Sequence, residues 1–166
     1  MPRMEKEMLF FIYLRAAGLV IAEKRSTFSF EVFPPKTDVG MEKLCGKDGV
    51  LDKLYTLQPD YISCTYGAGG TNVGKNLEVL DKIQKDGKTI PVTHFTCIGN
   101  TKEDIKEKLQ TYLDHGIDHM LALRGDLPFG WTGTNGDLHY ATELVKFVRK
   151  EFGDKFTIAV AGSPEG

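Results

Sequence analysis

Beyond residue 27 the chain alternates between two apolar spacings. Short runs with every second position apolar are followed by longer ones with apolar residues at every third or fourth position. Side chains alternate across a β-pleat but return to one helix face after about 3.6 residues, so the first spacing predicts strands and the second helices. Strands are expected at residues 28–33 (FSFEVF), 61–65 (YISCT), 92–97 (VTHFTC), 119–123 (HMLAL) and 156–161 (FTIAVA). Residues 40–57 are expected to be helical in part. Val73, Leu77, Leu80 and Ile83 predict a second helix over 73–85 that Gly87 ends. A third carries Ile105, Leu109, Tyr112 and Leu113 on one face, with Thr101 as its N-cap and Gly116 closing it. Leu144, Phe147 and Val148 mark a fourth over 140–152.

Strands and helices in this rhythm imply βαβ units and a parallel sheet. The sheet closes either as an open doubly wound layer or as a barrel. Phe28, Phe30 and Val32 share one face of the first strand, and Ser29, Glu31 and Phe33 the other. In the second, Ile62 and Cys64 oppose Tyr61, Ser63 and Thr65. A strand between two helix layers would be almost continuously apolar, so one apolar and one mixed face favour a barrel with a functional lumen. An eight-stranded (β/α)8 TIM barrel takes ~250 residues, and this chain has 166. The expected fold class is therefore α/β of the TIM-barrel type, limited to about five strands and four helices plus an N-terminal helix. Either the chain is a fragment or a partner completes the sheet.

The balance of 21 Lys and Arg against 23 Asp and Glu leaves a net charge of −2. No strong basic field exists to hold nucleic acid, and a small-molecule partner fits better. Cys45, Cys64 and Cys97 are odd in number and widely spaced, which supports neither a disulfide framework nor a zinc finger and points to a reducing compartment such as the cytoplasm. His115, His119 and His139 lack metal-ligand spacing, and no metal is expected. Residues 8–22 (MLFFIYLRAAGLVIA) are apolar but broken by Arg15, and fall short of the ~20 residues of a membrane span. Residues 1–26 are expected to form a helical segment packed on the domain, with no membrane role.

Four places carry candidate chemistry. Glu31 interrupts an apolar strand; a buried carboxyl holds its proton to higher pH and can act as a general acid, whereas a surface carboxyl in an ion pair does not. The run from Thr65 through Tyr66, Gly67 and Ala68 to Thr71 leads from a strand into a helix. Its backbone N–H groups suit an anion or a polar cofactor edge, and equally a plain turn. His94 is either a titratable site residue or a satisfied strand histidine. Arg124, Gly125 and Asp126 end the fourth strand, where barrel enzymes place their chemistry, and a glycine-rich loop over 127–137 follows. An adhesion role for this tripeptide would need an exposed loop in a secreted protein. All four places fall at or near the C-terminal ends of successive strands, which a barrel gathers at one mouth.

In order, the segments FSFEVFPPK, YISCTYGAGGT, THFTCIGNT and GIDHMLALRGDLP resemble the methylenetetrahydrofolate reductase family over residues 27–166. The resemblance implies a flavin-dependent barrel that reduces 5,10-methylenetetrahydrofolate to 5-methyltetrahydrofolate with FAD and NAD(P)H. Glu31 then matches the acid that protonates the bridging amine of the folate, and Asp126 the carboxylate beside pterin and flavin. Thr65, Tyr66, Gly67, Ala68, His94, Arg124 and Gly125 match flavin contacts. A homo-oligomer or a complementary subunit is an implied partner. The alternatives are an inactive fragment or binding module, or another pterin-using barrel such as a methyltransferase.

Overall fold

The computed structural model describes residues 27–66, 73–126 and 136–161. In chain order the elements are β1 (Ser29–Val32), α1 (Asp38–Cys45), α2 (Val50–Tyr55), β2 (Tyr61–Cys64), α3 (Val73–Asp86), β3 (Ile90–Thr96), α4 (Lys102–Asp114), β4 (His119–Leu123), α5 (Ala141–Phe152) and β5 (Thr157–Val160). The five strands form one parallel sheet in the order β1-β2-β3-β4-β5. Its ladder does not close: β1 and β5 each have one strand neighbour among the described residues. The expected N-terminal helix lies outside the described residues.

Two differences from the sequence reading exceed one residue at an element's end. The region over 40–57 is two helices, so five helices accompany the strands where four were expected. Thr37 starts α1 by accepting a hydrogen bond from the Gly40 N–H at 3.1 Å. Gly46 ends it by donating to the Glu42 carbonyl at 2.8 Å, and α2 begins after Gly49. Apolar spacing alone does not register such a break. The other difference is that β3 starts at Ile90 rather than at residue 92, and so includes Pro91. Pairing of β3 with β4 begins only at Thr93, where the proline's missing N–H no longer matters.

The helices cover one face of the sheet. Phe30, Val32, Ile62, Cys64, Phe95, Met120, Ala122 and Ile158 point into this layer and meet Leu80 and Ile83 of α3, Leu109 and Tyr112 of α4 and Leu144 and Val148 of α5. Phe95 lies at the centre, with its ring 5.4 Å from Tyr66 and 6.5 Å from Tyr112, centroid to centroid. Burying a side chain of this size contributes roughly 1.5–3 kcal/mol. On the other face Ile90 and Val92, flanked by Tyr61 and Leu121, form a smaller apolar cluster. The alternation read from the sequence is thus realised, with one face sealed by helices and a mixed face left toward the lumen. The α4 terminus is fixed as its sequence suggested: Thr101 accepts from the Asp104 N–H at 3.1 Å, and the Asp104 carboxylate accepts from the Thr101 N–H at 3.0 Å. The Thr101 hydroxyl also donates to this carboxylate at 2.7 Å, and that bond, followed by the one from the Thr101 N–H, holds the Asp104 carboxyl below the ordinary range.

Candidate active site

On the lumen face, strand alternation brings Glu31, Ser63, Val92, His94, Leu121 and Ala159 to a groove of about 420 Å³. Val92, Leu121 and Ala159 give it an apolar floor, and Glu31, Ser63 and His94 give it polar groups at the β1–β3 side. This combination of apolar surface and a few convergent polar groups suits a planar heterocycle.

Glu31 and His94 reach each other across two strands, with the Glu31 Oε2 3.5 Å from the His94 Nε2. Both side chains point to the lumen because β1, β2 and β3 run parallel with Glu31 opposite Ser63 and Ser63 opposite Val92. The buried carboxyl considered from the sequence is not what the structure shows. The Glu31 side chain is half exposed at 50%, because the face it occupies has no covering layer among the described residues. His94 is the buried member, at 8%. Burial pushes its imidazole below the ordinary value, and the Glu31 charge pulls the other way. At neutral pH the pair therefore holds a neutral imidazole.

Thr65 leaves β2 with its N–H bonded to the Val32 carbonyl at 3.0 Å. Tyr66 follows, and its ring turns into the helix-facing core, 7% exposed. Its hydroxyl has no partner among the described residues, and burial pushes it up to about 12. The Tyr66 ring is thus spent on packing against Phe95, and the backbone is the part of this residue that remains for a ligand. Gly67 and Ala68 lie outside the described residues.

Arg124 and Asp126 are exposed at the tip of β4. The Arg124 carbonyl accepts from the Ile98 N–H at 3.1 Å and from the Cys97 thiol at 3.5 Å. Gly125 has φ +86, and a Cβ there would lie 2.8 Å from the Cβ of Thr96. The chain passes so close to β3 that only glycine fits in this left-handed conformation. The result is that Arg124 and Asp126 leave the sheet beside the tip of β3, two residues beyond His94.

Sequence similarity decides the family. A model described as methylenetetrahydrofolate reductase matches residues 17–166. The chain belongs to this family. A maize methylenetetrahydrofolate reductase (NADH) 1 is 37% identical over 155 residues, covering 92% of this chain and 25% of the relative. A 5,10-methylenetetrahydrofolate reductase of Pectobacterium carotovorum is 38% identical over 148 residues, covering 89% of this chain and 47% of the relative. A fission yeast methylenetetrahydrofolate reductase 2 is 34% identical over 142 residues, covering 84% of this chain and 22% of the relative. The chain thus spans about a quarter of the plant and yeast reductases and just under half of the bacterial one. The open parallel sheet alternating with helices is the fold of a partial methylenetetrahydrofolate reductase barrel.

Two buried asparagines at the strand tips were missed by the sequence reading. Asn76 is fully buried, with hydrogen bonds to β2, β3 and α4. It sits on the same helical stripe as Leu80 and Ile83, and a polar residue on an apolar stripe is the signal that marks it. Asn100, 5% exposed, donates to the carbonyls of Thr96 and Ile98, both at 3.2 Å. Its own carbonyl accepts from the Asp137 N–H at 3.1 Å, and the Asp137 carboxylate accepts from the Lys102 N–H at 2.9 Å. Asn100 therefore ties the exit of β3 to the chain returning toward α5. Its neighbours Gly99 and Thr101 read as an ordinary turn and cap, and nothing local in the sequence distinguishes it.

Proposed function

We propose that the lumen face is the flavin and folate surface of a reductase that converts 5,10-methylenetetrahydrofolate to 5-methyltetrahydrofolate, with FAD as cofactor and NAD(P)H as electron donor. The observation that carries this reading is the meeting of Glu31 and His94 on the lumen face, at the strand ends where Arg124, Gly125 and Asp126 also emerge. The apolar floor with polar groups at its side fits a flavin ring. Bound there, the flavin supplies the hydride.

The chain's own residues handle position and protons. Glu31, half exposed in the free groove, is withdrawn from water once flavin and folate cover it, and there delivers a proton to the bridging amine of the folate and so opens its five-membered ring. Its reach to His94 keeps the carboxyl directed across the groove. Asp126 faces the pterin and favours the positive charge that ring opening creates. Arg124, Thr65, His94 and the backbone of Gly125 hold the flavin. The plant relatives' names specify NADH, which favours that donor over NADPH. A cytoplasmic location fits three cysteines that are free, two of them buried. The alternative of a module that binds folate or flavin without turnover differs in having no use for an acid at Glu31.

The test compares the two half-reactions in the wild-type chain and Glu31→Gln, anaerobically and with excess FAD. Flavin reduction by NADH needs no acid at the folate. Reoxidation by methylenetetrahydrofolate does, and a positioned acid contributes ~10²–10⁴-fold. The expected outcome is a folate half-reaction lowered by that factor, with flavin reduction within about twofold. The ratio of the two rates is the readout, so a low absolute rate does not obscure it. Equal loss in both would assign Glu31 a structural role.

A further inference from the structure

Asn76 stands in the first turn of α3 with all four positions of its amide engaged. Its Nδ2 donates to the carbonyls of Cys64 at 3.1 Å and Thr65 at 2.8 Å. Its Oδ1 accepts from the Tyr112 hydroxyl at 2.6 Å and, at 3.3 Å, from the Thr93 hydroxyl, which shares its one proton with the His94 carbonyl at 2.9 Å. The two carbonyls can only accept, which fixes which end of the amide faces them.

Cys64 and Thr65 are consecutive, and a continuing strand points consecutive carbonyls to opposite sides. Here both converge on one nitrogen, so Asn76 ends the pleat of β2 and turns the chain. No peptide bond among the described residues is cis, and in a trans peptide the N–H lies opposite the preceding carbonyl. With the Thr65 carbonyl held against α3, the Tyr66 N–H points away from the helix layer. That N–H has no partner among the described residues. The Tyr66 ring, packed 5.4 Å from Phe95, holds the other side of the same residue in place.

We infer that Asn76 is a positioning residue: it holds the Thr65 carbonyl in the helix layer and thereby presents the Tyr66 N–H, at the exit of β2, to a hydrogen-bond acceptor on the edge of a flavin ring. The inference rests on the flavin reading above. It adds a residue that itself touches no ligand, tied through Thr93 to β3 and through Tyr112 to α4. A residue that served only to fill the core at this point would not need both ends of an amide.

The experiment uses the whole chain, ¹⁵N-labelled, as wild type, Asn76→Asp and Tyr112→Phe. Asn76→Asp keeps the size and the acceptor for Tyr112 and Thr93 but sets a carboxylate oxygen against the two carbonyls. Tyr112→Phe removes a partner at the opposite end and leaves both carbonyl bonds in place. FAD is titrated against each, followed by flavin fluorescence and by the Tyr66 amide resonance, with circular dichroism to establish folding. In the wild type the Tyr66 amide should shift with the same midpoint as the fluorescence. Asn76→Asp should bind FAD about tenfold more weakly, the loss of one hydrogen bond's worth of affinity, and Tyr112→Phe within about twofold of wild type. A folded Asn76→Asp that binds within twofold, or a wild-type Tyr66 amide unmoved by saturating FAD, would overturn the role of Asn76. The wild-type amide decides alone if Asn76→Asp does not fold. A folded wild type that binds no FAD would overturn the flavin reading itself.

Discussion

The two faces of this sheet are built from the same strands and differ in what they are asked to do. Toward the helices, Ile62, Cys64, Phe95, Met120 and Ala122 are fully buried, and the polar atoms of Asn76 are fully paired. Toward the lumen, buried Val92 and His94 stand beside a half-exposed Glu31. Stability is concentrated on one face and the proposed chemistry on the other. A residue's face, which changes with every step along a strand, thus says more about its role than its place in a motif. Tyr66 illustrates this. It belongs to the glycine-rich motif, yet just past the end of β2 its ring turns into the core beside Phe95.

The largest effect should come from truncating the helix-facing core. Phe95→Ala is expected to cost about 3–5 kcal/mol, the range for a fully buried phenylalanine. Leu121→Ala, on the lumen face and partly exposed, should cost below about 1.5 kcal/mol, since less area is withdrawn from water. Urea unfolding of the two variants measures the difference, and equal costs would break the contrast between the faces.

Gly125→Ala should come next. The new Cβ meets both a φ of +86 and a 2.8 Å approach to Thr96, a strain of about 1–3 kcal/mol. Because this glycine sets where Arg124 and Asp126 leave the sheet, FAD affinity should fall as well, which calorimetry reads beside the melt. An alanine variant with unchanged stability and affinity would separate the β4 tip from the site.

The smallest effect concerns pH. Folding lowers the His94 pKa below 6.5, chiefly by burial. The unfolded chain then takes up a proton before the folded one does, so stability is full above about pH 6.5 and falls as pH drops through that value. His94→Asn should remove this part of the slope. Melting temperatures of wild type and variant should therefore draw together as pH falls from 7 to 5, relative to their gap at pH 7. A gap independent of pH would mean that His94 is not desolvated on this face.

The strand rhythm was legible because alternation is a direct imprint of the pleat: FSFEVF and YISCT each separate an apolar set from a mixed one. The lumen position of Glu31 and His94 followed from the same parity. The split between α1 and α2 was not legible, because it depends on how Gly46 and Gly49 approach the ends of neighbouring turns rather than on apolar spacing. Nor was the exposure of Glu31, since how deeply a lumen residue is buried depends on what covers the sheet, which its own strand does not encode. Asn76 left a trace, a polar residue on an apolar stripe, but its partners are 11 to 36 positions away in the chain.

The central claim is that a flavin lies on the lumen face and leaves the helix face undisturbed, and methyl resonances test it most directly. FAD titrated into the chain with labelled Ile, Leu and Val methyls should shift Val92 and Leu121 with one saturable midpoint, while Ile62, Leu80 and Ile158 stay in place. Saturable shifts confined to Ile62, Leu80 and Ile158, or none at any of the five, would contradict it.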